Sequence, residues 1–209
     1  MNKKLSKEDA LQELIDLGII KEESDLGKND KNGDMPLHTA VRHNSKEVVE
    51  LILAVDPSLV AKENIHQHTP ISTAIIHGKR ELVSLMLKAY PRIIQDENGN
   101  PWCDSRGKNL LHYFTRYSET KDPNFLYVFC ASPKAALFMR DFESNTPTHV
   151  AARWGQNYFL AHYAKKAPET LDMYGYKNLL PWELADHFGM TETAKFAQYC
   201  KRIYSSKTK

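Results

Sequence analysis

The stretch DMPLHTAVRHN (residues 34–44) returns in outline as NTPTHVAARWG (residues 145–155). In each, a proline stands two residues before a histidine and opens a run that contains a small residue, Ala40 or Ala151. Proline suits the first position of a helix, where its missing N–H has no intrahelical partner to lose. Stepping 34 residues from Pro36 reaches Pro70 in HTPISTAIIHG, and the same step from Pro147 reaches Pro181 in LPWELADHFG. Between them, Leu110 in KNLLHYFTRY takes the proline's place. Eight residues past the four prolines stand Asn44, Gly78, Gly155 and Gly189. These residue types tolerate the left-handed conformation that ends a helix. Pro57, Pro91, Pro133 and Pro168 follow the first four anchors by 21–23 residues. The chain therefore reads as five related units with a period near 34.

Each unit resolves into the same parts. A polar turn comes first: DKNGD, NIHQH, DSRGK, DFESN or GYKNL. A short helix then runs from the anchor, and a second helix carries an apolar stripe. In the first unit that stripe is Val48, Val49, Leu51 and Ile52, and in the second Leu82, Val83, Leu85 and Met86. Helices this short are marginal alone, so stacking must supply the burial.

The pattern resembles the ankyrin repeat, which pairs a β-turn with two antiparallel helices and carries a T-P-L-H-x-A signature. The signature shows in M-P-L-H-T-A (35–40), T-P-T-H-V-A-A (146–152) and T-P-I-S-T-A (69–74). It is weaker in N-L-L-H-Y-F (109–114) and in L-P-W-E-L-A (180–185). The fold expected from it is all-α, an ankyrin-repeat solenoid of about five units with terminal caps. An N-terminal helical cap spans residues 1–29, with a Ser6/Asp9 capping box. Repeats follow over residues 30–63, 64–97, 104–140, 141–174 and 175–200, and a frayed tail over 201–209. An insertion is expected around NGNPWC (98–103). The resemblance makes His38, His112 and His149 structural hydrogen-bonding residues and implies a side-chain bridge between Thr146 and His149.

Net charge is only +2, with 42% apolar and 26% charged residues, so no whole-molecule attraction to nucleic acid or membrane is implied. The charged start, MNKKLSKEDALQEL, has no apolar core of signal-peptide length. Three cysteines without a CxxC pair favour free thiols in a reducing, cytoplasmic compartment. Of these, Cys130 and Cys200 fall in apolar helical stretches and read as buried. A composition rich in Lys, Asn and Ile loosely resembles ankyrin-repeat effector proteins of intracellular bacteria, which implies delivery into a host cell.

No catalytic, cofactor or metal constellation stands out, and the chain reads as a non-catalytic, monomeric module for binding a partner protein. The alternative is an enzyme or metal site around Cys103, His66 and His68, with Asp104 beside them. The resemblance implies a groove lined by the turn tips and by the residues just before each helix-ending glycine. Those positions carry seven Lys/Arg, five His and five aromatics against two acids. The residues expected to meet the partner are Arg42, His43, His66, His68, His77, Arg106, Arg116, Tyr117, Phe142, Arg153, Trp154, Tyr176 and Phe188. Arg, Tyr and Trp are common among interface hot spots, and the groove's charge favours a partner with an acidic and apolar surface.

Overall fold

The computed structural model describes residues 6–205. Among them are eleven α-helices and no strand, with one isolated antiparallel bridge between Gln95 and Pro101. The chain divides between Ile93 and Ile94 into two compact units.

The first unit holds α1 (Lys7–Asp16), α2 (Pro36–Arg42), α3 (Lys46–Val55), α4 (Pro70–Ile76) and α5 (Arg80–Ala89). The helices pair as α2/α3 and α4/α5. They stack in two rows, α2 on α4 and α1 on α3 on α5. Ser6 caps α1, its hydroxyl accepting from the Asp9 amide at 3.1 Å. α1 belongs to the row of second helices. A cavity of about 630 Å³ opens between the Gly18–Lys21 turn and α2, lined by Pro36, Thr39, Ala40 and His43 among others.

The second unit holds α6 (Leu110–Tyr117), α7 (Pro123–Ala131), α8 (Pro147–Arg153), α9 (Asn157–Lys166), α10 (Pro181–His187) and α11 (Thr191–Ser205). The pairs are α6/α7, α8/α9 and α10/α11. First helices stack α6 on α8 on α10, and α9 lies against α11. Phe125 of α7 sits fully buried, its ring centre 4.5 Å from that of Phe159 and 5.6 Å from that of Phe129. Burying such a ring contributes about 2–3 kcal/mol, which helices of seven to ten residues require. α11 runs on through Ser205, into the stretch expected as a tail; residues 206–209 and 1–5 lie outside the described part.

All five anchors begin a helix: Pro36, Pro70, Leu110, Pro147 and Pro181 are the first residues of α2, α4, α6, α8 and α10. The residues eight further on have the left-handed backbone expected of them, with φ of 56° at Asn44, 64° at Gly78, 69° at Gly155 and 77° at Gly189. α6, which lacks such a residue, ends instead on extended Ser118.

The turns share one geometry that the sequence reading did not anticipate. In Asp30–Asp34, Asn64–His68, Asp104–Lys108 and Asp141–Asn145, the first side chain accepts from the amides two and four residues on, at 2.8–3.0 Å. The fourth residue has positive φ: Gly33, Gln67, Gly107 and Ser144. A short polar side chain that mimics a backbone turn explains why Asp or Asn opens each. The expected insertion is a further copy of this motif. Asp96 accepts from Asn98 and Asn100, each at 2.8 Å, and Gly99 has φ 78°. Residues 96–100 are thus a complete turn with no helix pair directly after it.

Two buried histidines, His38 and His112, link a first helix to the next turn. His38 Nε2 donates to the His68 carbonyl at 2.8 Å, and His112 Nε2 to the Asn145 carbonyl at 3.1 Å. The Thr146–His149 bridge is present, with the Thr146 hydroxyl donating to His149 Nδ1 at 2.8 Å. Asn109 stands where Thr146 does, and its amide N–H reaches His112 Nδ1 at 3.2 Å. Burial lowers the pKa of His112 to about 3 and that of His149 to about 4, so both are neutral hydrogen-bonding groups. In the GYKNL turn the leading Asp is replaced by Gly175. A Cβ there would stand 2.4 Å from the His149 ring. The close approach of the imidazole requires glycine at this point.

Candidate functional site

The last residues of the first helices form the most unusual surface. Six and seven residues past the anchors, the second unit carries Arg116 and Tyr117, Arg153 and Trp154, and His187 and Phe188. The helices end at or beside these residues, so their side chains leave the helix ends together. Tyr117, Trp154 and Phe188 are all exposed, at 41%, 42% and 36%. Exposed rings gathered on one surface are costly in water unless something covers them.

Cations interleave with these rings. The Arg116 guanidinium lies 3.7 Å from the Trp154 ring centre and 5.1 Å from that of Tyr117. Arg153 lies 4.4 Å from the Phe188 ring centre, 5.7 Å from that of Tyr176 and 5.8 Å from that of Trp154. Read along the helix ends, the order is Arg116, Trp154, Arg153, Phe188. Each such contact is attractive by about 0.5–1 kcal/mol at an exposed site. Together they hold these long side chains in place.

The turn tips extend the surface. Phe142 is 70% exposed, and its amide donates to the Arg106 carbonyl of the preceding turn at 3.0 Å. Lys108 Nζ stands 5.8 Å from the Phe142 ring centre. A cleft of about 220 Å³ opens between this turn and the helix ends, lined by Lys108, Tyr113, Arg116, Phe142, Arg153 and Trp154, together with Asp141 and Glu143. Tyr113 was not among the expected groove residues, because its offset from Leu110 falls on the buried side of the helix. Its hydroxyl donates to Asp104 at 2.5 Å and accepts from Arg106 at 2.8 Å. Burial and the Asp104 carboxylate push the pKa of that hydroxyl up, so it remains a protonated donor.

The expected partner-binding residues therefore divide into two groups. Arg116, Tyr117, Phe142, Arg153, Trp154, Tyr176 and Phe188 share the second unit's surface, with Arg153 also paired to Glu143 at 2.8 Å. Others are engaged within their own unit. Arg42 pairs with buried Asp34 at 2.7 Å, and Asp34 also accepts from the Asn64 side chain. Arg106 serves Tyr113. His66 donates to the Asn32 carbonyl at 3.1 Å, and His68 is half-buried with its carbonyl held by His38. His43 and His77 are exposed caps at the ends of α2 and α4.

Cys130 is exposed, not buried, because its place on α7 turns away from the Phe125 core; Cys200 is buried as expected. Asp104 is committed to its own turn and to Tyr113. Among the described residues no group of three or more His, Cys, Asp or Glu is placed to hold a metal ion. Nor is any described helix long and apolar enough to cross a membrane.

A family model described as ankyrin repeats (3 copies) matches residues 4–97, a little under half of the chain. A search of curated proteins finds no match to the chain. Ankyrin repeats are generally protein–protein interaction modules and are typically non-catalytic. Residues 4–97 are thus similar to ankyrin repeats, and the helix pairs and turns of this chain build an all-helical fold consistent with an ankyrin-repeat solenoid.

Proposed function

We propose that the chain is a non-catalytic binding module and that the first-helix ends of its second unit are the surface that takes a partner protein. The observation that carries this reading is the exposed series Arg116–Trp154–Arg153–Phe188, in which cations and rings alternate at equal offsets in successive units. Rings supply the apolar contact area, and guanidinium groups pre-positioned over them lose little further freedom on binding. Arg116 has no carboxylate partner among the described residues, so its charge is available to an acidic group. Capture of a partner by the intact chain tests the reading. Trp154→Ala and the Arg116→Glu/Arg153→Glu pair are expected to weaken capture about tenfold or more while leaving the fold intact. Capture unchanged by both sets of changes would remove the surface from consideration.

A further inference from the structure

The cleft beside Trp154 has a charge balance that its own residues leave unfinished. Arg153 is answered by Glu143 at 2.8 Å. One oxygen of the Asp141 carboxylate, Oδ1, accepts from the amides of Glu143 and Asn145, at 3.0 and 2.9 Å. Lys108 and Arg116 have no carboxylate within ion-pair distance among the described residues. Lys108 touches only the Phe142 ring face at 5.8 Å, and Arg116 only the faces of Trp154 and Tyr117. Lys108 is also half-buried, so its ammonium has given up water, while the carboxylates of Asp141, Asp104 and Glu143 attract it through space without forming an ion pair. Burial and the nearby Arg106 lower its pKa against the opposing pull of Asp141, Asp104 and Glu143, a cost that an incoming negative charge would relieve.

The lining carries three cations (Lys108, Arg116, Arg153) against two carboxylates (Asp141, Glu143). One negative charge completes it. A doubly charged phosphate would overshoot and face both acids at close range. The volume, about 220 Å³, is of the order of one side chain.

Resting on the reading that this surface binds a protein, we propose that the cleft receives a single Asp or Glu side chain of the partner, its carboxylate lying between Lys108 Nζ and the Arg116 guanidinium. The residues flanking that acid then lie against Phe142 on one side and Trp154 on the other. The recognised segment is thus an acidic residue set among apolar ones.

The test uses two synthetic peptides, Ac-Phe-Glu-Phe-NH2 and Ac-Phe-Gln-Phe-NH2, titrated into the full chain. The readout is the indole N–H resonance of Trp154, identified among the three tryptophans by its loss in Trp154→Phe. The Glu peptide is expected to bind about fivefold more tightly than the Gln peptide. Lys108→Gln and Arg116→Gln are each expected to abolish that difference, and Lys108→Arg to keep it. Arg116 is exposed, so its variant reports even where a change at Lys108 disturbs the turn. Equal binding of the two peptides, no binding of either, or a difference that survives both Gln variants would overturn the proposal. So would inorganic phosphate displacing the Glu peptide more strongly than acetate displaces it at equal concentration, which would mark a phosphate site. Partner capture by Trp154→Ala separates the two levels. Capture lost in that variant with peptides that bind alike sinks the cleft and leaves the surface; capture retained sinks the surface itself.

Discussion

The guanidinium of Arg116, at the end of α6, lies 3.7 Å from the centre of the Trp154 ring at the end of α8. A cation of one helix thus covers an aromatic ring of the next. The contact ties neighbouring repeats at the same place where a partner is proposed to sit. If it is a real coupling, a double-mutant cycle of Arg116→Ala and Trp154→Ala, followed by chemical unfolding, should return about 0.5–1 kcal/mol. A value indistinguishable from zero would mean that the two side chains are independent and not pre-positioned.

The turn carboxylates should matter more to stability than their place in loops suggests. Asp141 is buried and serves two amides. Asp141→Ala leaves those donors unsatisfied and should cost about 2 kcal/mol in urea unfolding, while Asp141→Asn, which keeps an acceptor oxygen, should cost less than half of that.

Glycines divide by what surrounds them. Gly78 has φ 64° with open space about it, so Gly78→Ala should cost about 1 kcal/mol, from backbone strain alone. Gly175 has ordinary φ, but an added methyl would collide with the His149 ring. Gly175→Ala should cost about 2–3 kcal/mol and shift the His149 imidazole resonances. Equal costs at the two positions would contradict this account.

Acid should destabilise the second unit through its histidines. His112 and His149 have folded-state pKa values of about 3 and about 4, below the ordinary 6.5. Below pH 6.5 the unfolded chain takes up protons at these residues and the folded one does not. Their contribution is therefore complete above about pH 6.5 and declines as the pH falls toward 4. At pH 5 the loss is about 2 kcal/mol per histidine. Unfolding midpoints measured from pH 7.5 to 5 should show this slope, and the double variant His112→Gln/His149→Gln should flatten it.

Much of this was readable before any coordinates. The spacing of Pro36, Pro70, Leu110, Pro147 and Pro181 placed five helix starts, because proline at a first turn and a left-handed residue eight further on are local requirements that the backbone enforces. The turn motif was missed although its signal was present: Asp30, Asn64, Asp96, Asp104 and Asp141 all open one. Read by anchor spacing alone, the stretch NGNPWC (98–103) is an insertion, because the match of the turn it overlaps, Asp96–Asn100, lies in hydrogen bonding and not in distance to a proline. Cys130 was misplaced because α7 has apolar residues on more than one side, so composition could not say which face is buried. The groove offsets brought Arg116, Arg153, Trp154 and Phe188 to one surface. They did not distinguish Arg116 from Arg42, since only the fold puts Asp34 within 2.7 Å of the latter.

The histidine links run in one direction only. His38 and His112 reach forward to the following turn, whereas at the equivalent place in α10 stands Glu183, whose carboxylate bends back to the Leu180 amide at 2.8 Å. Shortening such an array is therefore not symmetric. Removing a later module leaves an imidazole N–H without its acceptor, while removing an earlier one leaves a carbonyl short of one donor, and an orphaned N–H is the costlier of the two. Trimming from the front should be tolerated better than trimming from the back, and a histidine at that site in a new terminal module would want replacement by an acid that serves its own helix.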